Sequence, residues 1–329
     1  MPMMKALQLV RPRIFEKLEV PIPTLVPGPS EQLLIKTRWL SLCGSDISFF
    51  NGNKRYIQFP LPVGNPIHES VGEVVESQSG LFKPGEIVLA IPEGDQGLAE
   101  YYTALASKAI HLPEALAQCD DSCLIQPLST VLNAVDQLGE LQGKSVAVVG
   151  LGSIGLFFCW LLKKRGAASI TGIDPIPSRC KVAERLGANQ TIALRSGQAV
   201  HTLRQEEKEL LLFDICIEAV GHQTQTLNDC LDLVSKQGTV LCFGVPDQPV
   251  YPIEYEVFFR KNAVLVAVVT PDWSDYLSRA SELYLAHHAE LAWLVSHRIP
   301  IQEAARAFTL YEQHDDKILK VILDASGWS

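Results

Sequence analysis

No extended run of lysine or arginine occurs in this sequence. Acidic residues outnumber basic ones, 37 to 28, for a formal net charge of -9. Nucleic acids and anionic membranes are held through clustered positive charge, so both are set aside as partners. No apolar stretch is long enough to span a bilayer. The most apolar one, LFFCWLL, stands behind a glycine-rich turn and reads as a buried helix. The opening residues carry Lys5, Arg11 and Arg13 without a long apolar core, unlike a secretory signal. Internal repeats and low-complexity linkers are also missing, which excludes solenoids and tethered arrays.

What is present is ordinary globular composition, 47% apolar and 20% charged, in a 329-residue chain that exceeds what one core usually supports. Two domains are expected. Residues 1–125 show short apolar runs of period two (KALQLV, EQLLIKTRWLSL, ESVGEVVES, GEIVLAI) separated by PGP, NG and KPGE, the pattern of an all-β domain. Residues 126–262 alternate strand-like runs (SVAVVG, SITGID, FDICIEAV, GTVLCFG) with helical ones (GLFFCWLLKKRG, PSRCKVAERLGA, TQTLNDCLDLVSKQG). That alternation predicts βαβ units and a doubly wound parallel sheet, giving an α/β chain. The tail 263–329 is too small for its own core and is expected to pack back on residues 1–125 as one discontinuous domain. Eight cysteines are scattered mostly within apolar runs. They read as free thiols in a reducing cytoplasm.

The strongest local signal is Gly150-Leu-Gly152-Ser153-Ile154-Gly155, directly after the strand-like KSVAVV and before a helical run. Gly150 allows the tight turn, Gly152 a close approach of backbone to pyrophosphate, and Gly155 close helix–strand packing. The free N–H groups of the helix start, at Ser153 and Ile154, favour phosphate. Asp174 closes the next strand, where a carboxylate meets the adenosine ribose hydroxyls and repels a 2′-phosphate, so NAD is favoured over NADP. Arg179 follows, placed either to bind a 2′-phosphate or to cover the adenine and ribose edge; Asp174 favours the second.

The first domain carries Cys43-Gly44-Ser45-Asp46 and His68-Glu69. Thiolate, imidazole and carboxylate are zinc donors. They lie on separate segments, so on the residues alone Cys43 reads as readily as a buried thiol, Asp46 as a turn cap and His68 as a surface residue.

Taken in order, CGSD, HESVGEVVE, LAEYYT, IQPLST, VVGLGSIG and SHRIPIQEAARAF resemble the zinc-dependent medium-chain dehydrogenases, most nearly the polyol and threonine dehydrogenase branch. The resemblance covers nearly the whole chain. It implies a GroES-like β domain (1–125 and 263–329), a Rossmann NAD-binding domain (126–262) and a catalytic site in the cleft between them. By the same resemblance Cys43, His68 and Glu69 hold one catalytic zinc, Asp46 orients the histidine and Ser45 relays the substrate proton. Gly150, Gly152, Ser153, Ile154, Gly155, Asp174 and Arg179 then bind NAD, and Val220, Phe243 and Val245 line the nicotinamide pocket. Lys320 falls where a basic residue meets the pyrophosphate; a solvated surface lysine is the competing reading.

The sequence departs from that family in four places. Gln126 in IQPLST stands where relatives place a Cys or Glu on or near the metal, and a neutral amide is the poorer donor. GNPIHES replaces Gly-His-Glu, with Pro66 ahead of His68. Ser48 replaces a histidine that passes the proton to solvent. The four-cysteine lobe of the structural zinc is missing from AIPEGDQGLAEYYT, so no structural zinc is expected.

The implied activity is reversible hydride transfer between a small alcohol, or its ketone or aldehyde, and NAD(H). Phe49, Phe50 and Tyr56 are candidates for an aromatic pocket wall, with core packing as the alternative, and Arg298 for the outer site or a structural ion pair. The competing functions are a zinc-independent, NADPH-dependent quinone or enoyl reductase of the same superfamily, and a non-catalytic NAD-binding relative. The apolar run NAVLVAVVT after GTVLCFGVP is expected to form the edge of a homodimer or homotetramer.

Overall fold

The computed structural model describes residues 2–54, 57–206, 212–269, 271–314 and 317–328, with the backbone alone for 204–206. Tyr56 lies outside the described residues. In chain order the elements begin with β1 (Met3–Arg11), β2 (Ile14–Pro21), β3 (Gln32–Ser41), α1 (Gly44–Asn51), β4 (Glu69–Ser77), β5 (Ile87–Pro92), β6 (Tyr101–His111) and α2 (Ile125–Gln137). There follow β7 (Ser145–Val149), α3 (Ser153–Lys164), β8 (Ser169–Ile173), α4 (Pro177–Arg185), β9 (Gln190–Ile192), α5 (Ser196–Glu206), β10 (Phe213–Glu218), α6 (Gln225–Leu233), β11 (Val234–Cys242), α7 (Tyr255–Lys261) and β12 (Val264–Ala267). The chain continues with α8 (Trp273–Ala286), α9 (His288–Leu291), β13 (Val295–Pro300), α10 (Ala304–Gln313) and β14 (Lys320–Asp324).

Two compact units result: Met1–Ser129 with Asp272–Ser329, and Thr130–Pro271. The expected division at 126 and 262 therefore moves to 130 and 272. The second shift has a plain cause: Thr239–Cys242 of β11 pair in parallel with Val264–Ala267, so β12 completes the sheet of the second unit.

In the first unit the sheet runs β13-β14-β3-β4-β5-β6, and β3 also pairs with β6, so β3 to β6 close on themselves. Closure removes the open edges that an antiparallel sheet otherwise leaves. β14, from the tail, lies between β13 and β3, with Leu323 opposite Leu40. The core around it contains Leu7, Leu9, Leu40, Leu42, Phe50, Phe308, Val321 and Leu323. Phe50 is fully buried there, with its ring 5.8 Å from Phe15 and 5.0 Å from Phe308. It is therefore core and not pocket wall, and it anchors α1 against the sheet. Phe49 packs on the edge of the same core under the ammonium of Lys54, 4.1 Å from its ring centre.

The second unit is an all-parallel sheet in the order β12-β11-β10-β7-β8-β9. Counted from β7, this is the 3-2-1-4-5-6 order of the dinucleotide-binding fold, read from the other side. Its strand order reverses between β7 and β10, which makes their carboxyl ends the expected ligand crevice. The residues Val234–Gly238, read from the sequence as the end of a helix, instead begin β11, and α6 stops at Leu233.

Candidate active site

The candidate metal ligands gather at the junction of β3, α1 and β4. Cys43 precedes α1, and His68 and Glu69 open β4. One ligand atom from each of Cys43, His68 and Glu69 lies within 4.8 Å of the others. The proline ahead of His68 has not carried the ring away.

Asp46 ties this set together. Its Oδ2 accepts the Cys43 N–H at 2.8 Å, closing the first turn of α1, while its Oδ1 lies 3.4 Å from His68 Nδ1. With Nδ1 facing a carboxylate, Nε2 is the nitrogen left for a metal, the arrangement that fixes ring and tautomer in histidine–metal sites. Burial pushes the Asp46 carboxyl up, against the pull of His68. Burial also disfavours a charged His68, but Asp46 and then Cys43 outweigh it and raise the imidazole well above its ordinary range.

Glu69 is wholly buried and held by two partners. Lys320 Nζ lies 2.8 Å from its Oε1 and 2.6 Å from its Oε2, and the Ser41 hydroxyl donates to Oε2. Lys320 is itself buried; desolvation opposes its charge, yet the Glu69 carboxylate prevails and keeps its pKa above the ordinary lysine value. Both sequence readings of Lys320, as a pyrophosphate contact and as a surface lysine, are corrected by this ion pair. Arg298 is settled too: it forms a two-pronged pair with Asp120, at 2.5 and 2.9 Å.

Ser45 is partly exposed on α1, one residue before Asp46, whereas Ser48 is buried. Gln126 is buried in the first turn of α2, and its backbone carbonyl accepts the Ser129 hydroxyl at 2.6 Å. The donor chemistry of Cys43, His68 and Glu69 fits zinc: one soft thiolate, one imidazole and one carboxylate.

In the second unit the glycine loop follows β7. Gly150 has φ of 92°, and a β-carbon there would stand 2.7 Å from Val220 Cγ2. The loops after β7 and β10 thus meet at the point where the strand order reverses. A β-carbon on Gly155 would lie 1.8 Å from the Gly150 carbonyl oxygen, whereas Gly152 faces open space. The residues fit a dinucleotide: one glycine bare toward the ligand, and two that only glycine satisfies.

Asp174, after β8, accepts the Leu151 N–H at 2.8 Å and the Ile176 N–H at 2.8 Å, with Arg179 3.8 Å away. The acid therefore braces the glycine loop from the end of the neighbouring strand. Val220, Phe243 and Val245 lie on the loops after β10 and β11. The Val245 carbonyl accepts the His222 N–H at 2.9 Å, and Phe243 packs edge-on to Phe158 of α3 with centres 5.1 Å apart.

Sequence reading missed Glu218. It is buried at the end of β10, and its Oε1 accepts the N–H of Val220 and Gly221 and the hydroxyl of Thr226. It holds the Val220 loop in shape. The available signal was an acid closing the apolar run FDICIE, where a charge survives burial only with such partners.

The family model for the alcohol dehydrogenase GroES-like domain matches residues 29–114, and that for the zinc-binding dehydrogenase domain matches 153–284. An L-threonine 3-dehydrogenase of Caldanaerobacter subterraneus subsp. tengcongensis is 31% identical over 86% of this chain and 88% of its own length. A sorbitol dehydrogenase of Gallus gallus is 26% identical over 88% and 87%. The solved alcohol dehydrogenase from Thermus sp. ATN1 superposes with a TM-score of 0.83 at 25% identity, covering 98% of this chain and all of that one. With the alcohol dehydrogenase domains matched in order and similarity to a threonine dehydrogenase running through both units, the chain belongs to the zinc-dependent medium-chain dehydrogenase/reductase superfamily, in its polyol and threonine dehydrogenase branch, and is an oxidoreductase acting on alcohol CH–OH groups.

Proposed function

We propose that Cys43, His68 and Glu69 hold a single catalytic zinc and that the protein interconverts a small alcohol and its ketone or aldehyde with NAD(H). The observation that carries this reading is Asp46, whose two carboxylate oxygens address the Cys43 backbone and the His68 ring together. The first contact caps α1, and the second turns the His68 ring beside Cys43 and Glu69, which supports one ligand shared by the three. When bound, zinc supplies Lewis-acid polarisation of the substrate oxygen and the nicotinamide supplies hydride exchange.

The chain's own residues do the rest. Cys43 would meet the dication with a thiolate, and Glu69 with a carboxylate whose charge Lys320 already offsets. Asp46 keeps His68 in the tautomer that ligates. Ser45, partly exposed next to Asp46, is placed to take the substrate hydroxyl proton; Ser48 is buried, so the proton's outlet is water reached from Ser45. Val220, Phe243 and Val245 shape the nicotinamide end of the crevice. Asp174 supports NAD over NADP, since a 2′-phosphate beside its carboxylate would be repelled. Substrates of the polyol and threonine dehydrogenase class, vicinal diols or hydroxy amino acids, are the first to screen. Phe49 puts a ring without a hydroxyl beside the metal loop, which favours the less hydroxylated among them.

Metal analysis of protein purified without chelator tests the reading: zinc content is expected to fall by one equivalent in both Cys43→Ala and His68→Ala, together with loss of alcohol-dependent NAD reduction. Zinc content unchanged by both substitutions would end it.

A homodimer or homotetramer built on β12 belongs to the same proposal. β12 ends the sheet with Val264 49% exposed, and Tyr255 and Phe259 on α7 are 64% and 65% exposed. An unpaired apolar strand edge is a template for pairing, and a charge on it is the standard deterrent. Val264→Lys is therefore expected to shift the protein to monomer in small-angle scattering, and a wild-type monomer would refute the assembly. A cytoplasmic location is supported by eight unpaired cysteines. No helix among the described residues is long and apolar enough to cross a membrane.

A further inference from the structure

A second group of metal-ligating side chains shares no residue with the set around Cys43. Cys119 precedes the short 3-10 helix Asp120–Leu124, Asp121 lies within that helix, and His288 begins α9. One ligand atom from each of Cys119, Asp121 and His288 lies within 4.8 Å of the others. We propose that these three side chains form a second metal site, selective for zinc and similar late first-row dications, which staples the segment leading into α2 to the α8–α9 segment of the tail.

Four observations carry it. The donors are one thiol, one carboxylate and one imidazole, a set that suits zinc or cobalt and suits calcium or magnesium poorly. Asp121 is pre-positioned: its Oδ2 accepts the Tyr284 hydroxyl at 2.8 Å and lies 2.6 Å from His288 Nε2, and no hydrogen bond among the described residues reaches Oδ1. Cys119 and His288 are partly exposed, so a dication reaches them from solvent and keeps a position for water. The neighbouring acid Asp120 is already taken by Arg298, which leaves Asp121 as the acid of the group.

A tetrahedral zinc with bonds of about 2.0–2.3 Å holds its donors roughly 3.3–3.7 Å apart. The present spacing needs adjustments on the order of 1 Å, within reach of rotamer shifts at two partly exposed side chains. The Asp121–His288 contact opens slightly as the metal enters.

Cobalt(II) titration of the metal-stripped protein tests this, because a thiolate bound to cobalt gives a charge-transfer absorption that nitrogen and oxygen ligands do not. In Cys43→Ala, which removes the first site, one equivalent of cobalt is expected to bind with that absorption, and the additional change Cys119→Ala is expected to abolish it. In case Cys43→Ala does not fold, wild type is compared with Cys119→Ala alone. The latter alters one partly exposed side chain, and one thiolate-bound equivalent of two should be lost. His288→Ala should weaken the same equivalent at least tenfold, and added zinc should raise the melting temperature of wild type more than that of Cys119→Ala. If no cobalt–thiolate absorption depends on Cys119, the cluster is a hydrogen-bonded brace and the proposal fails. An absorption that depends on Cys119 while none depends on Cys43 would support this site and sink the catalytic one, so the two readings fall separately.

Discussion

Lys320→Met is expected to destabilise the metal-free protein by about 3–5 kcal/mol, the usual cost of removing one partner from a buried ion pair. Lys320 and Glu69 side chains are 1% and 0% exposed, so solvent cannot take over the lost charge. Methionine fills a similar volume, and the loss is therefore electrostatic. Only the Ser41 hydroxyl would remain to Glu69. For a unit of this size the melting temperature should fall by roughly 6–20 °C. Lys320→Arg restores the charge and should recover much of the loss. Zinc should rescue Lys320→Met in part if Glu69 is a ligand, because the dication then replaces the ammonium as counter-charge. Thermal unfolding with zinc and with chelator separates the cases. A Lys320→Met protein as stable as wild type in chelator would show that the pair contributes nothing, and an absence of rescue would remove Glu69 from the ligand set.

Gly155→Ala and Gly152→Ala should part company. An alanine at 155 drives its methyl carbon to 1.8 Å from the Gly150 carbonyl, so the loop or α3 must move. Overpacking of this kind costs about 1–3 kcal/mol and sometimes more. The upper end is expected here because the obstacle is backbone. Cofactor affinity should fall with it, by more than tenfold. An alanine at 152 meets nothing within 4 Å, so folding should be unaffected while NAD(H) binding is lost, since the methyl fills the space a pyrophosphate needs. Fluorescence titration with NADH beside a melting curve reads both. Full NADH affinity in Gly152→Ala would overturn the placement of the dinucleotide.

The second unit was the more legible in sequence. Four of its strands, β7, β8, β10 and β11, are short apolar runs each followed by a helix, and the glycine loop stands where one βα turn must be. The partners of the glycines were hidden. FDICIE signals a buried acid but not its partners, the amides of the Val220 loop, and SITGID does not show that Asp174 holds the Leu151 amide. The boundary at 262 fell short because the run NAVLVAVVT, legible as an apolar edge, holds β12, which pairs with β11 and carries the unit past it.

In the first unit the resemblance of CGSD and HES singled out Cys43, His68 and Glu69, which the fold brings within 4.8 Å of one another, while spacing alone left them equivocal. Lys320 was misread for a physical reason. A lysine in a strand is ordinarily assigned to the wet face, but β14 is flanked by β13 and β3 and buried along most of its length, so it has no wet face to give. Asp121 and His288 are 167 positions apart, a separation at which no local pattern operates.

The threading of β14 between β13 and β3 also sets an order of events during synthesis. Thr130–Pro271 is continuous in sequence and can fold as soon as it has left the ribosome. The other unit cannot. Until residues 320–324 emerge, the Trp39–Ser41 end of β3 lacks its neighbour and Glu69 has no counter-ion, so the unit that holds Cys43, His68 and Glu69 waits incomplete while the parallel-sheet unit is already in place. Pairings between positions so distant in sequence are slow to form. The nascent chain should therefore be most vulnerable to proteases and to aggregation in its first 129 residues, and it should lose that vulnerability abruptly as the last strand arrives.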